Sequence, residues 1–429
     1  MFRQLRGFFL GLLIAVVAVL FFRGGFFPYA LYALLAALLL AWLTGHYALA
    51  GIEHQRFCTA TRAKLGETFE VSIEIQNRKA LPVPWVLMED VTPERLPKSG
   101  QYARVAFLRG GQSLSLAYTV TCSQRGYHQV GPLILESGDL FGLVRRFRIG
   151  AEANYVLVHP RVLNIARYAI PTTRPVGEVR IQQHIFEDPT RAAGVREYRR
   201  GDPLHRIHWR ATARTGVLQS RVYEPSTMIG ATVALDFYIP AYEGQATLER
   251  SELAVVAAAS IAHYVCEQRQ QAGFLSNGRD AADRVRWERE AREFSSRRAA
   301  QETAAMLDHS DRLRPLEVEL GRGDGQVQRI LDALARLELS DGMPFHQMLL
   351  NEYYRLPREA ALVAIVPQVT PELVEAFIQM KRSGFVITVF VVRNPSGYAR
   401  AVGLLAREHL NVLHLSGEED LYELAWLRL

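Results

Sequence analysis

Two apolar runs near the start of the chain, Leu5 to Phe22 and Phe26 to Leu43, limit what this sequence can become more than any other feature. Arg6 is the one charge in the first run, and the second carries none. Each is about 18 residues long, near the lower limit for crossing a hydrocarbon core roughly 30 Å thick. Arg23-Gly24-Gly25 between them is a turn, so residues 1–50 read as a transmembrane helical hairpin. A signal peptide is the rival reading, because Arg3 and Arg6 precede an apolar run. Against it, a second apolar span follows and no small-residue cleavage site does. Arg3 and Arg6 lie before the first span, Arg56, Arg62 and Lys64 follow the second, and Arg23 alone lies between. The positive-inside bias then expects a multi-pass protein of the inner (cytoplasmic) membrane with its soluble domains in the cytoplasm. Two helices anchor a chain; they do not make a channel.

The remainder of the 429 residues suits two or three domains. Four lysines (Lys64, Lys79, Lys98, Lys381) stand among 50 basic residues, so the net charge of +6 is carried almost wholly by arginine. That balance suits anionic lipid or nucleic acid without choosing between them. Cys58, Cys122 and Cys266 are odd in number and lack metal-ligand spacing, which speaks against a disulfide framework or a zinc site. No cofactor is expected.

From 51 to 155 the pattern has period two. "TFEVSIEIQN" and "SLSLAYTVTC" alternate apolar and polar residues, and Asn77, Pro82, Pro84, Gly110, Gly111 and Gly126 punctuate the runs. Short strands at this spacing predict an antiparallel sandwich of immunoglobulin or fibronectin type. Asp139-Leu140-Phe141-Gly142 near its end reads as a tight turn feeding another strand.

Residues 230–429 alternate strands with helices. "GATVALDFY" is a continuous apolar run ending at Asp236, as for a buried parallel strand. "AALVAIVPQ", "FVITVFVV" and "NVLHLS" repeat the signal, with helical stretches between them. Thr370 is placed to cap a helix with Pro371 at its first position and Gly384 as its stop. The alternation predicts a doubly wound α/β sheet. A charged stretch at about 279–314 interrupts it and reads as an exposed helical insertion laced with ion pairs.

Residues 156–229 join the two parts and hold the most unusual segment. Arg196, Arg199, Arg200, Arg206, Arg210, Arg214 and Arg221 crowd around Tyr198 and Trp209. Three readings compete. A nucleic-acid patch would set arginines on phosphates and stack Tyr198 and Trp209, but Glu197, Asp202 and Glu224 offer the arginines bidentate partners, and an anchored protein is kept from most DNA. Catalysis would use His205, His208 and Asp202, yet no serine or cysteine nucleophile stands beside them. The architectural reading is preferred. It sets a turn at Gly201-Asp202-Pro203, a helix after it with Asp202 as cap, and a buried Trp209 that locks the sandwich to the sheet. Arg199, Arg200 and Arg206 are then candidates to bind a partner.

"RGYHQVGPLILESGDLFGL" together with "GVREYRRGDPLHRIHWRATARTGVLQSRVYE" resembles the bacterial family of domain of unknown function 58. The matching positions are Arg196, Tyr198, Gly201, Asp202, Ile207, His208, Trp209, Thr212, Ala213 and Arg214. The resemblance implies a membrane-anchored protein with a von Willebrand factor A-like C-terminal domain, often paired with a MoxR-type AAA ATPase. Many such domains bind Mg²⁺ through Asp-x-Ser-x-Ser. Here Asp236 is followed at those positions by Tyr238 and Pro240, so a metal is not expected. The resulting expectation is a non-enzymatic scaffold or adaptor in the bilayer that assists such an ATPase on an unknown client protein, with no nucleic acid bound. An envelope-associated structural protein without an ATPase partner is the alternative, and an enzyme using His205 and His208 comes third.

Overall fold

The second apolar run forms helix α1 (Phe26–Tyr47). At 1.5 Å per residue its 22 residues span about 33 Å. Its stretch Tyr29–Tyr47 is long and apolar enough, by length and composition, to cross a membrane. The computed structural model describes residues 26–92, 96–150, 153–165, 186–198, 207–226, 230–242, 247–283, 293–294, 297–304, 313–358, 360–392, 398–399, 403–405, 408 and 410–423. The first apolar run lies outside them, and with it the two-span hairpin. The chain divides into two units, Met1–His159 with Arg284–His309, and Pro160–Asp283 with Ser310–Leu429.

The first unit is built from β1 (Ile52–Cys58), β2 (Arg62–Lys64), β3 (Thr68–Asn77), β4 (Val83–Asp90), β5 (Lys98–Gly100), β6 (Ala103–Leu108), β7 (Ser113–Thr121), β8 (Gly126–Val130), β9 (Leu133–Gly138), β10 (Arg145–Ile149) and β11 (Asn154–His159). One sheet runs β1-β3-β7-β5, a second includes β10-β9-β4-β6, and a third runs β2-β11-β8. In β3 the alternation is plain: Phe69, Val71, Ile73 and Ile75 are buried while Glu70 and Glu74 face water. Buried residues of β3 and β7 share one core with Val86 and Met88 of β4 and Leu133 and Leu135 of β9. Sheets that bury their faces this way are consistent with a β-sandwich. Each such side chain contributes roughly 1.5–3 kcal/mol by leaving water.

That core holds an ionic group. Arg56 pairs with Asp90, Tyr118 donates to the other Asp90 oxygen at 2.5 Å, and Arg56 also donates to the Val130 carbonyl at 3.0 Å. Both charged side chains are buried.

The second unit begins with an antiparallel ribbon of β12 (Phe186–Glu197) and β13 (Gln219–Ser226), with α2 (Trp209–Thr215) in its connection. The chain continues through β14 (Gly230–Leu235), α3 (Thr247–Glu267), β15 (Gln271–Ser276) and the short β16 (Arg279–Asp280). The charged insertion then goes back to the first unit and does not stand out as a free helical excursion. Its strand β17 (Glu293–Phe294) pairs with β10 as the fifth strand of that sheet. Arg297, in the following α4 (Arg297–Ala304), pairs with Glu89 of β4.

The chain resumes with β18 (Leu316–Gly321), α5 (Asp324–Arg336), β19 (Leu337–Glu338), α6 (Phe345–Glu352), β20 (Ala360–Val366), α7 (Pro371–Arg382), β21 (Ile387–Val392), β22 (Asn411–Leu415) and α8 (Glu419–Glu423). The sheet order is β18-β15-β14-β20-β21-β22; every pair is parallel except β15 with β18. Val233 and Leu235 of β14 face one core with Ala258 of α3 and Leu334 of α5. Ala234 between them faces another with Met348 of α6 and Phe377 of α7. Helices therefore cover both faces, which is why the strands are apolar throughout. Thr370 caps α7 by accepting from the Leu373 amide at 3.4 Å, with Pro371 at its first position.

Tyr118→Phe leaves the buried Asp90 oxygen without its hydroxyl donor. It is expected to cost about 1.5–3 kcal/mol in urea unfolding of the detergent-solubilised chain. A change below about 0.5 kcal/mol means the hydroxyl does not support the pair.

Candidate functional site

Ile207 and His208 remain extended before α2 begins. Ile207 is buried and bridges to Ser220 of β13, and the His208 amide donates to the Gln219 carbonyl at 2.8 Å. The helix therefore starts at Trp209 with His208 as its cap, and not after Gly201-Asp202-Pro203 as the sequence suggested. His208 Nδ1 accepts from the Ala211 amide at 3.0 Å. Thr212 turns its hydroxyl back to accept from the Gln219 amide at 3.0 Å. Gly216 closes the helix at φ 71°, a left-handed conformation that costs a residue without Cβ little. The Gly216 amide donates to the Thr212 carbonyl at 2.9 Å. A seven-residue helix is thus capped at both ends and tied to β13 through His208 before it and Thr212 in its middle.

This placement corrects the expectation for Trp209. The side chain is 68% exposed and belongs to no core. It shares one helix face with Ala213 four residues on, beside Arg210 and Arg214, and all four are exposed. Val217 and Leu218, after the helix, are exposed as well. The reason is the cap: with His208 held in the ribbon, the first helical position points away from it. Of the other signature residues, Arg196 pairs with Ser220 across the ribbon, and the Tyr198 amide donates to the Leu218 carbonyl at 2.8 Å. Arg199, Arg200, Gly201, Asp202, His205 and Arg206 lie outside the described residues, so the structure gives no geometry for a His205–His208 pair.

A second site lies where the sheet order reverses. The chain builds outward from β14 through β15 to β18, then from β20 to β22 on the other side. The carboxyl ends of β14 and β20 meet there, the usual crevice for ligands in open α/β sheets. Asp236 stands at that point and is buried. Its Oδ1 accepts from Asn277 Nδ2 at 3.1 Å and from the Tyr238 amide at 3.1 Å. Asn277 accepts from the Phe237 amide at 2.6 Å and donates to the Met343 carbonyl at 3.0 Å. Arg250 of α3 donates to the Pro367 carbonyl at 3.1 Å. Burial pushes the Asp236 carboxyl up to about 7, against the two hydrogen bonds that favour its ionised form. A hard cation needs several oxygen ligands at this place. Tyr238 and Pro240 offer neither serine hydroxyl, and Asp236 is already held by nitrogen donors, so these residues do not fit Mg²⁺. Asn277 and Arg250 carried no mark in the sequence: a turn asparagine after a strand and an arginine in a helix are common.

Residues 194–311 match the family described as Protein of unknown function DUF58. The match spans the ribbon's end, α2 and both sides of the Asp236–Asn277 contact. The Bacillus subtilis (strain 168) protein named Uncharacterized protein YeaD is 26% identical over 275 residues, covering 62% of this chain and 66% of its own length. The match thus falls just short of two thirds of that relative. Among solved structures, the CARDB domain of a Pyrococcus furiosus protein is similar at 12% identity, over 25% of this chain and 94% of that one, with a TM-score of 0.18. A FixG-related protein from Vibrio parahaemolyticus is similar at 7% identity, over 26% and 98%, with a TM-score of 0.19.

Two outcomes follow from this geometry. Trp209→Ala is expected to change unfolding free energy by no more than about 0.5 kcal/mol, where a core position would cost roughly 3–5 kcal/mol; a loss of the second size in urea melts puts the ring in a core. For Asp236 the folded carboxyl lies above the ordinary 3.8. The stability tied to its proton is complete below about pH 4 and is lost as the pH rises through about 7. The thermal midpoint of the native chain relative to Asp236→Asn should therefore fall across that window, and a constant difference refutes the assignment.

Proposed function

We propose, from the match of residues 194–311 to the DUF58 family, that the chain is a non-enzymatic, membrane-anchored adaptor whose α2 face holds a protein partner. One observation carries this reading: Trp209 stands in water on a helix capped at both ends, beside Arg210 and Arg214. Tryptophan and arginine dominate the residues that carry binding energy at protein interfaces. A helix already capped at both ends loses little further backbone freedom on docking. The matching partner surface is an apolar recess rimmed by carboxylates. The resemblance supplies its candidate, a MoxR-type AAA ATPase, with an unknown client as the protein being assembled or remodelled.

Two further points support an adaptor. The His208 ring serves as a helix cap, which occupies the nitrogen a general base would need. Asn277 Nδ2 donates to Asp236 Oδ1 at the crevice where a ligand would enter. The anchor is read as the hairpin of both apolar runs. The excess of arginine and lysine outside it favours the inner membrane with both soluble units in the cytoplasm.

Site-specific photocrosslinking in native membranes tests the proposal. A benzophenone side chain in place of Trp209 should give one dominant protein adduct, an ATPase subunit, and Arg210→Glu with Arg214→Glu should abolish it. If position 209 yields no more protein adduct than Phe57, an exposed residue of β1, the adaptor reading is wrong.

A further inference from the structure

We propose that the turn between β9 and β10 enters the bilayer beside α1, with Leu140, Phe141 and Leu143 in its interfacial layer. This inference rests on the membrane reading of α1 and goes beyond it, since it makes the sandwich itself a lipid-binding surface.

The first observation is exposure. Leu140, Phe141 and Leu143 are 67%, 61% and 62% exposed. A lone exposed leucine is ordinary, but three large apolar side chains within four residues form a patch that calls for an apolar partner.

The second is that the turn is built to hold them there. Asp139 Oδ2 accepts from the Phe141 amide at 2.8 Å, and its Oδ1 accepts from the Val144 amide at 2.6 Å. The Asp139 amide donates to the Val144 carbonyl at 3.2 Å, and its own carbonyl accepts from Trp85 Nε1 at 3.1 Å. Every one of these bonds uses the backbone or the buried Asp139, so the three apolar side chains are left pointing outward. A slack loop would fold them inward.

The third is where the turn lies. A Cβ on Gly45 would come within 2.8 Å of Val144 Cβ, so only glycine lets α1 and the base of the turn approach this closely. Arg146 meets His46 at 3.3 Å. Arg148 donates to the Leu49 carbonyl at 2.8 Å and to the Ile52 carbonyl at 2.6 Å. Moving along β10 away from the turn thus means moving past the C-terminal end of α1. The turn lies the other way, alongside the apolar part of the helix. At about 3.3 Å per residue its tip reaches roughly 7–10 Å beyond Val144, which matches the 5–10 Å to which interfacial elements bury. Trp42 stacks on His46 at 5.4 Å, and Tyr47 meets the same ring edge-on at 5.0 Å. Aromatic residues of this kind collect where lipid meets water. The polar boundary set by Trp42 and Tyr47 therefore lies level with the base of the turn, and the bilayer is the apolar partner within reach of its tip.

The test is photocrosslinking of the full chain reconstituted in vesicles of phosphatidylcholine and phosphatidylglycerol. A benzophenone side chain is placed singly at Leu39, Phe57, Phe141 or Leu143, and lipid adducts are measured by mass. Leu39 lies on α1, whereas Phe57 is exposed on β1 five residues beyond Ile52. The expected result is lipid adduct at Leu39, Phe141 and Leu143 about tenfold above that at Phe57. Adduct at Leu39 with Phe141 and Leu143 both at the level of Phe57 overturns the inference while leaving the anchor intact. No adduct at Leu39 overturns the anchor, and the inference falls with it. Protein adduct without lipid at Phe141 and Leu143 also overturns it.

Discussion

The carbonyl groups from the last residue of α1 to the first of β1 find hydrogen-bond donors in the sandwich, and those bonds tie the helix to the sheets of its own unit. A helix ends with four carbonyls that lack internal partners and with a partial negative charge. Lys79 donates to the Tyr47 and Ala48 carbonyls at 2.7 and 3.0 Å, and Arg148 takes those of Leu49 and Ile52. Lys79 at the helix end and Arg148 at the link beyond it act on each other at some cost: burial lowers the proton affinity of the Lys79 ammonium, and the charge of Arg148 lowers it further. Leu49 and Ile52 are buried in the sandwich core directly after the helix. The joint is therefore a packed corner, and the tilt of α1 is carried into the sandwich without a flexible tether between them.

The second unit settles a comparable problem by other means. The meeting point of β14 and β20 gathers chain ends and loops, where many α/β sheets place a ligand. Here the Asn277 side chain joins Asp236, the Phe237 amide and the Met343 carbonyl in one buried knot. A side-chain amide does what a bound ion does elsewhere, tying separate loops through several short contacts. Such a knot needs no ligand to form.

What could be read in the sequence and what could not divide by distance along the chain. The alternation of β3, the apolar strands of the six-stranded sheet and the Thr370-Pro371 cap are local signals, and each stands where the sequence put it. Trp209 departs from the expectation because large aromatics are usually buried and its segment has no period to say otherwise; the deciding contact is the His208 cap. The Asp236–Asn277 bond joins residues 41 positions apart, beyond any pattern in a single sequence. The turn at Asp139 was legible as a turn. That it projects apolar side chains beside α1 depends on Gly45, nearly a hundred residues earlier.

The return of the insertion to the first unit sets an order in time. β10 pairs with β9 on one side and with Glu293–Phe294 on the other. A ribosome makes those partners in sequence, so one side of β10 stays open while about 150 more residues emerge, roughly 10–30 s at usual rates of synthesis. An open strand edge is a site of mispairing. The nascent chain passes through that interval with one edge of this sheet uncovered, and the first unit gains its last described strand only after residues 160–283 of the second have been made.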